Sequence, residues 1–378
     1  MKKVLIAGFT RSPFTFARKG QLATVRPDEL VARVIGELIQ RAQISPDSIE
    51  DVLIGCAFPE GEQGFNIGRL AALYAGLPTS VPGMTVNRFC GSSMQAAHIA
   101  AGAIQMNAGE AFVCAGVESM SRIPMGGFTP SPNARIKAAV PGAYITMGET
   151  AENVARKWGI TREEQECFAM TSHSRAAAAH IAGVLSDAIV PIQDDGVTID
   201  TDGCIRPDTT LEALARLSPA FGPNGIITAG TSAPLTDGAA AILVCSEEYA
   251  TRNNLMPLAS IPSVAISGCA PEIMGIGPVE ATRKALARAG IGVAQLDVIE
   301  LNEAFASQAI ACVRELGFAP DRVNIYGGAI ALGHPLGATG ARLLGQAALQ
   351  LKQVGKGFAL ATQCIGGGQG IATILESV

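Results

Sequence analysis

Cysteine is the residue type in this sequence best suited to covalent chemistry, and two of the nine cysteines stand in segments that favour it. Cys90 precedes a glycine, two serines and an alanine-rich helical pattern. We expect Ser92 or Ser93 to cap a helix that runs to Asn107. Cys90 would then face unpaired N–H groups at the positive end of the helix dipole, which lowers a thiol pKa and favours the nucleophilic thiolate. The alternative is a buried cysteine at a tight strand–helix turn.

Cys364 follows an apolar strand predicted over residues 358–361 and precedes the three glycines at 366–368. Backbone N–H groups in such a loop can approach a substrate closely and hold an oxyanion. The alternative is a glycine turn with a purely structural role. The other seven cysteines are interpreted as small buried hydrophobic residues, because no C-x-x-C pair is present that would indicate a zinc ribbon or a redox dithiol.

His334 is the one histidine of four that lies outside a helical pattern. It stands before a proline in a glycine-rich segment, residues 327–340, that contains neither a G-x-G-x-x-G nor a G-K-[ST] phosphate-binding motif. A base that titrates near pH 7 beside a thiol is the minimum requirement for cysteine-based acyl chemistry. We therefore regard His334 as the candidate base.

An internal repeat singles out Asn302. Residues 41–58 align without gaps on residues 288–305, and residues 109–112 align on 355–358 at nearly the same offset. Where the first copy has a glycine and a cysteine, the second has Asn302 and Glu303. If only one of the two copies carries a functional site, we expect the copies to differ at such positions. The alternative is that Asn302 caps the following helix.

The repeat predicts two similar α/β halves that position these residues. We expect strands at residues 4–7, 51–55 and 111–115, and a helix capped by Asp28. The predicted division is a first half over residues 1–118, completed by about 227–255, a loop-rich insertion over 119–226 that carries helices at 149–157 and 162–182, and a second half over 256–378.

Composition narrows the class of protein. The 378 residues are 48% hydrophobic and only 16% charged, with a net charge of −5. This composition excludes intrinsic disorder and a coiled coil, and it makes nucleic acid an unexpected partner. No apolar run reaches the roughly 18 residues of a membrane span, so we expect a cytoplasmic protein with a large core and a further interface to bury.

Taken together, these segments resemble the thiolase family over essentially the whole chain. The family is marked by four loops, C-x-S, N-E-A-F, G-H-P and C-x-G, and all four occur here in order. They are Cys90-Gly91-Ser92, Asn302 to Phe305, Gly333-His334-Pro335 and Cys364-Ile365-Gly366. The resemblance implies a five-layer αβαβα sandwich of two similar halves with a loop-rich inserted domain.

The resemblance also implies a role for each candidate. Cys90 would attack the 3-keto carbon of a 3-ketoacyl-CoA after His334 accepts its proton. Cys364 would protonate the acetyl-CoA enolate that leaves, or remove a proton from acetyl-CoA in the reverse Claisen condensation. One oxyanion would be held by His334 with a water on Asn302, and the other by the backbone N–H groups of Cys90 and Gly366. Glu303 would orient a neighbour.

The residues expected to contact the substrate are assigned only from their positions in the family pattern. Arg206 would contact the CoA nucleotide, and Met147 and Phe305 would line the pantetheine–acyl channel. The family commonly has a pantetheine-binding Ser where this chain has Ala233, and a cation where it has Ser218. Coenzyme A and acetyl-CoA would be substrates, with no permanently bound cofactor and no metal.

The motifs look more like those of degradative 3-ketoacyl-CoA thiolases than those of biosynthetic acetoacetyl-CoA thiolases. A biosynthetic acetoacetyl-CoA thiolase remains the first alternative function. A ketosynthase would carry His in place of Cys364, and an inactive CoA-binding paralogue would be expected to have lost one of the four loops. The resemblance further implies a homodimer or homotetramer and β-oxidation enzymes as partners.

Overall fold

The computed structural model describes residues 2–378 and contains twelve strands and twelve helices within that range. The strands are β1 (Val4–Arg11), β2 (Thr15–Phe16), β3 (Asp51–Gly55), β4 (Gly83–Val86), β5 (Ala111–Ser119), β6 (Ile192–Asp194), β7 (Val197–Ile199), β8 (Thr236–Ser246), β9 (Ala259–Gly268), β10 (Leu296–Leu301), β11 (Phe358–Ile365) and β12 (Gln369–Glu376). The helices are α1 (Pro27–Ala42), α2 (Ile67–Tyr74), α3 (Ser92–Gln105), α4 (Ala134–Ala139), α5 (Met147–Trp158), α6 (Arg162–Ile181), α7 (Leu211–Ala215), α8 (Glu247–Arg252), α9 (Gly277–Ala289), α10 (Ala306–Leu316), α11 (Ala329–Leu332) and α12 (Thr339–Val354). None of the helices in residues 2–378 is long and apolar enough to cross a bilayer.

The main sheet consists of two halves whose strands follow the same order, except that the outermost strand of the first half, β4, has no counterpart in the second. In the first half the order is β1-β8-β5-β3-β4, and in the second it is β9-β12-β11-β10. The halves join where β1 pairs with β9 through only two residue pairs, Leu5 with Ser260 and Ile6 with Ala259. Strands β3 and β5 of the first half occupy the same positions as β10 and β11 of the second, as the repeat in the sequence indicates.

The helices complete five layers. Helices α3 and α12 pack on each other and lie between the two half-sheets, with α3 against β3 and β5 and α12 against β10 and β11. On the outer faces, α1 covers β1 and β8, and α9 covers β9 and β12. One apolar core surrounds α3 and α12, and two further cores lie beneath the outer helices. This architecture agrees with the expected αβαβα sandwich.

The segment between β5 and β8 holds helices α4 to α7 and a separate hairpin of β6 and β7. Helix α5 packs on α10, and α6 packs on α10 and α11, so this segment covers the second half of the molecule. The division of the chain at residues 118, 226 and 255 remains a prediction.

Backbone atoms approach unusually closely where the central layer meets the strand ends. A Cβ atom added to Gly116 at the end of β5 would lie 2.0 Å from the carbonyl oxygen of Gly337, in the loop before α12. No side chain fits there, so glycine is required for the contact. The contact fixes that loop against the first half-sheet.

Two expected helix boundaries were wrong. Helix α1 begins at Pro27, with Arg26 rather than Asp28 before it, because proline fits the first helical position, where no N–H bond is needed. Helix α3 begins at Ser92 and ends at Gln105, short of Asn107, and its cap position is Gly91.

Neither serine caps α3 with its side chain. The Ser92 hydroxyl accepts the N–H of Arg88 and donates to the carbonyl of Phe89, so it closes the turn that holds Cys90. Ser93 instead accepts the N–H of Ala341, which joins α3 to α12. Ser92 therefore stabilises the turn that contains Cys90, and Ser93 links α3 to α12. Neither serine acts as the N-terminal cap of α3.

Candidate active site

Cys90 lies in the tight turn immediately before α3 and is half-buried. Phe89 takes a left-handed backbone conformation with φ of 43°. A Cβ on Gly91 would lie 2.6 Å from the Cδ1 of Ile365, so glycine is needed for the turn to reach β11. The backbone N–H groups of Gly366 and of Cys90 itself lie near enough to the thiol sulfur to act against the rise in its pKa. Groups from both halves of the chain therefore surround Cys90.

Burial raises the pKa of Cys90 to about 11, and these two N–H groups only partly oppose that effect. The negative charge of nearby Glu118 raises it further. The expected lowering of the Cys90 pKa by the helix dipole is therefore wrong, because the start of α3 is enclosed by protein and the thiolate would lose its hydration there. In the resting site Cys90 is a thiol that needs a base.

Cys364 lies within β11, which extends to Ile365 and not only to Ala361 as expected. It pairs with Gly370 of β12 and is fully buried. Burial raises its pKa well above the ordinary value, and a thiolate at Cys90 raises it further. The neighbouring Gln363 donates a side-chain N–H to the carbonyl of Cys90. The two cysteines therefore face one site, and each carries its proton at neutral pH.

His334 is held from three sides. Its backbone N–H donates to the Thr236 hydroxyl at 3.1 Å, its Nδ1 lies 2.6 Å from the Thr339 hydroxyl, and its Nε2 lies 3.3 Å from the Nδ2 of Asn302. Burial lowers the pKa of His334 to about 3, with the cation of Arg342 adding to the shift. The imidazole is therefore neutral at pH 7, and the expectation of a base that titrates near pH 7 is wrong for the resting site, because the charged form would lose its hydration there.

Asn302 follows β10 directly and does not cap a helix, since α10 begins at Ala306 after Phe305. Its backbone N–H donates to the carbonyl of Thr362, which ties it to the strand that bears Cys364. Its side-chain Oδ1 is buried and has no hydrogen-bond partner among residues 2–378. The carboxamide thus contacts His334 through one atom and leaves the other for a ligand.

Glu303 is buried and turns away from the cysteines. Its carboxylate accepts hydrogen bonds from the Ser172 hydroxyl on α6, from the side chain of Asn324 and from the N–H of Ile330. Asn324 also bonds to both the N–H and the carbonyl of Leu301, at the end of β10. This arrangement supports the expectation that Glu303 orients a neighbouring residue, in this case the segment that carries Asn302.

Glu118, which the motifs did not point to, joins two loops of the site. It lies at the inner end of the fully buried strand β5. Its carboxylate accepts the N–H groups of Ala57, Phe58 and Gly337 and the side-chain N–H of Gln63. A single acidic residue in an otherwise apolar buried strand is the signal that could have identified it.

Both of the expected channel residues lie beside Cys364. Met147 and Phe305 pack in one apolar cluster with Cys364. A Cβ on Gly366 would lie 3.4 Å from the Met147 sulfur. The half-exposed ring of Phe221, not identified from the sequence, packs edge-on against Phe305 at 5.9 Å between centroids.

Ala233 follows this cluster and Arg206 lies further out. The N–H of Ala233 donates to the carbonyl of Ala304 at 3.0 Å, beside Phe305. The Arg206 guanidinium lies 5.1 Å from the ring centroid of Phe16, in a small cavity that the residues on either side of Ala233 also line. Neither Cys90 nor Cys364 lines that cavity.

Two family models together account for nearly the whole chain. The model described as "Thiolase, N-terminal domain" matches residues 4–248, and the one described as "Thiolase, C-terminal domain" matches residues 255–377. The chain belongs to the thiolase family. The family, the α/β fold and an acyltransferase activity of the thiolase class, all expected from the motifs, are confirmed.

Curated relatives of this thiolase align over its full length and over their own. It is 44% identical to the 3-ketoacyl-CoA thiolase of Bacillus subtilis (strain 168), over 389 aligned positions that cover 100% of both chains. It is 47% identical, with the same coverage, to the 3-ketoacyl-CoA thiolase of Shewanella baltica (strain OS155 / ATCC BAA-1091). The enzyme of the same name from Colwellia psychrerythraea (strain 34H / ATCC BAA-681) is 44% identical, again over the whole of both chains.

Proposed function

We propose that this thiolase cleaves a 3-ketoacyl-CoA with coenzyme A to give acyl-CoA and acetyl-CoA, and catalyses the reverse Claisen condensation. The observation that carries the proposal is that the turn bearing Cys90 packs against the strand bearing Cys364, through the contact of Gly91 with Ile365 and the hydrogen bond from the Gln363 side chain to the Cys90 carbonyl. The names of the full-length relatives support a 3-ketoacyl-CoA substrate and the degradative direction.

In the first step His334 accepts the thiol proton of Cys90 at Nε2, and the sulfur attacks the 3-keto carbon. The resulting alkoxide lies next to the sulfur, where the N–H groups of Cys90 and Gly366 are placed to stabilise it. A single donor of this kind lowers the barrier by about 3 kcal/mol. Because the pKa of Cys90 is about 11 and that of His334 about 3 in the resting site, the proton transfer is unfavourable by itself and is driven by the attack on the carbonyl and the stabilisation of the alkoxide.

The bond between C2 and C3 then breaks, leaving an acyl thioester on Cys90 and the enolate of acetyl-CoA. The enolate oxygen is the group that the His334–Asn302 pair would hold. Cys364 gives its proton to C2, which a thiol with a raised pKa is able to do at neutral pH. The proton that His334 took from Cys90 passes to the Cys364 thiolate, which leaves His334 neutral again. His334 then removes the proton of an incoming CoA thiol, the CoA sulfur takes the acyl group from Cys90, and the released Cys90 thiolate regains a proton from His334.

We also propose that a second copy of the chain covers an apolar face formed by α2 and β4. Strand β4 is the outer strand of the main sheet. The exposed large apolar side chains of this face include Phe65, Leu70, Leu73, Tyr74 and Met84. Because an edge strand can pair with its own copy about a two-fold axis, this face suits a homodimer.

The function is tested with the purified parent protein and the variants Cys90→Ala, Cys364→Ala and, as a control, Cys167→Ala on the outer helix α6. Loss of the 3-ketoacyl-CoA enolate absorbance reports cleavage, and intact-protein mass reports the acyl-enzyme. We expect no acyl adduct in Cys90→Ala, and an adduct from acyl-CoA without cleavage in Cys364→Ala. Cys167→Ala should behave like the parent.

An adduct that persists in Cys90→Ala would show that another residue is the nucleophile. Absence of turnover by the parent with short, medium and long 3-ketoacyl-CoA substrates would contradict the proposed activity itself. The same series of substrates measures the preferred chain length.

A further inference from the structure

The side chain of Thr339 contacts the imidazole of His334 on the side opposite to Asn302. Thr339 is the first residue of α12, five positions after the histidine, and both residues are buried. Its Oγ1 lies 2.6 Å from Nδ1 of His334 and 2.9 Å from the carbonyl oxygen of Pro335. A hydroxyl has one proton to donate, so only one of these two contacts can use it.

The Pro335 carbonyl is an acceptor only, so the hydroxyl donates to it when these two groups bond. A threonine at the start of a helix commonly bonds in this way to the carbonyl four residues earlier. The remaining lone pairs of Oγ1 then accept, and the group that donates to them is Nδ1–H of His334. Nε2 is left unprotonated and accepts an N–H from Asn302.

The opposite arrangement satisfies fewer groups. If the hydroxyl donated to Nδ1, then Nε2 would carry the proton and would need the Oδ1 of Asn302 as its acceptor. That arrangement makes two hydrogen bonds among these groups, whereas the first makes three. Each arrangement leaves one atom of the Asn302 carboxamide without a partner, Oδ1 in the first and the amino group in the second, so the hydrogen bond from Oγ1 to the Pro335 carbonyl decides between them.

We propose that Thr339 is a positioning residue that holds His334 as the Nδ1–H tautomer and so keeps Nε2 free to accept a proton. The proposal rests on the proposed function only in making Nε2 the atom that takes protons from Cys90 and CoA. Because a hydroxyl carries no charge, Thr339 selects the tautomer without the stabilisation of a charged imidazolium that a carboxylate would give.

The tautomer is observed directly in the intact protein with ¹⁵N-labelled histidine, whose two ring nitrogens give distinct signals when protonated and unprotonated. The variants are Thr339→Val, which keeps the shape and removes the hydroxyl, and Thr339→Ser, which keeps the hydroxyl. We expect Nδ1–H and bare Nε2 in the parent and in Thr339→Ser, and loss of this pure tautomer in Thr339→Val.

Kinetics provides the second measurement. We expect kcat of Thr339→Val to fall by about 10–100-fold with little change in KM, and Thr339→Ser to recover most of the rate, as for other groups that orient a catalytic ligand. The matched control is Thr373→Val, since Thr373 makes a 2.8 Å hydrogen bond to another buried histidine, His98. It should change the signals of His98 alone.

Protonated Nε2 in the parent, or a Thr339→Val protein that keeps both the tautomer and the rate, would overturn the proposal. If Thr339→Val fails to fold, Thr339→Ser and the parent spectrum still decide between the two tautomers. A parent that shows the Nδ1–H tautomer but does not cleave 3-ketoacyl-CoA would instead count against the proposed function, because the spectrum needs no substrate.

Discussion

Cys90, Cys364 and His334 are all uncharged in the resting site at neutral pH, because burial raises the pKa of both thiols and lowers that of the imidazole. A site of this kind carries its protons on the groups that later transfer them. Charge then forms only when a substrate is present, beside N–H donors that are already in place.

The state of Cys90 can be measured by alkylation with iodoacetamide, which reacts with the thiolate. Since the Cys90 pKa of about 11 lies above that of a free thiol, the thiolate fraction at any pH is smaller than in solution. We expect the alkylation rate at Cys90 to rise about tenfold for each pH unit from 7 to 10. Peptide mass spectrometry follows the site, with Cys90→Ala as the blank.

A plateau of that rate below pH 8 would contradict the prediction. It would mean that the helix N-terminus lowers the pKa after all, as the sequence pattern suggests when solvent exclusion is left out.

The missing hydroxyl at position 233 gives a second prediction. Ser232 cannot replace it, because the Ser232 hydroxyl donates to the carbonyl of Thr228. Since one neutral hydrogen bond contributes about 1 kcal/mol, Ala233→Ser should lower KM for coenzyme A about threefold to fivefold without changing kcat. Steady-state kinetics measures this, and Ser232→Ala is the control. An unchanged KM would show that the side chain at position 233 does not reach the pantetheine.

At the scale of elements, the carboxylate of Glu118 holds the loop before α12 against strand β5. Glu118→Gln would turn an amide NH2 towards N–H groups that now donate to Glu118, leaving donors such as Gly337 unsatisfied. We expect the free energy of unfolding to fall by about 2 kcal/mol. We also expect a lower kcat, because Gly337 lies three residues after His334.

Urea denaturation and the cleavage assay test this prediction together. The exposed Glu248→Gln is the matched control, since it makes the same chemical change at the surface. Equal stability of the two variants would show that the bonds to Glu118 contribute little.

The repeat at an offset of about 247 was enough to predict the equivalence of β3 with β10 and of β5 with β11. It did not predict that β1 pairs with β9, since that contact joins residues more than 250 positions apart. Likewise the motifs identified Cys90 and His334 by residue type. Glu118, Thr339 and Phe221 act through contacts that form only after folding. The apolar strand around Glu118 marks that residue as unusual, but nothing in the local sequence of any of the three shows which groups it contacts.

The direction of the Cys90 pKa shift could not be predicted from the sequence either, because it depends on contacts between distant parts of the chain. The helix that follows the cysteine can be predicted from local sequence, and with it the favourable dipole. The loss of hydration depends on what covers the turn, and the covering residues Ile365 and Gly366 come from the other half of the chain. Local effects were therefore predictable and the larger, non-local effect was not.

At the scale of the whole molecule, the proposed dimer can be tested on the face of α2 and β4. Leu73→Glu would place a charge in a buried apolar contact, and we expect it to shift the protein from dimer to monomer in light scattering coupled to size-exclusion chromatography. Ile181→Glu, at the exposed end of α6, is the control. A dimer that survives Leu73→Glu would place the interface elsewhere.

The contact between Gly116 and the carbonyl of Gly337 also bears on how this protein can evolve. Main-chain atoms in contact cannot change rotamer to make room for a larger side chain. Few substitutions are therefore compatible with the distance between the loops of the two halves. The wall formed by Met147, Phe221 and Phe305 is made of side chains, and each can be exchanged without moving the backbone. If these side chains line the acyl channel, as the family resemblance implies, selection can alter which acyl groups are accepted while the backbone around Cys90 and His334 keeps its place.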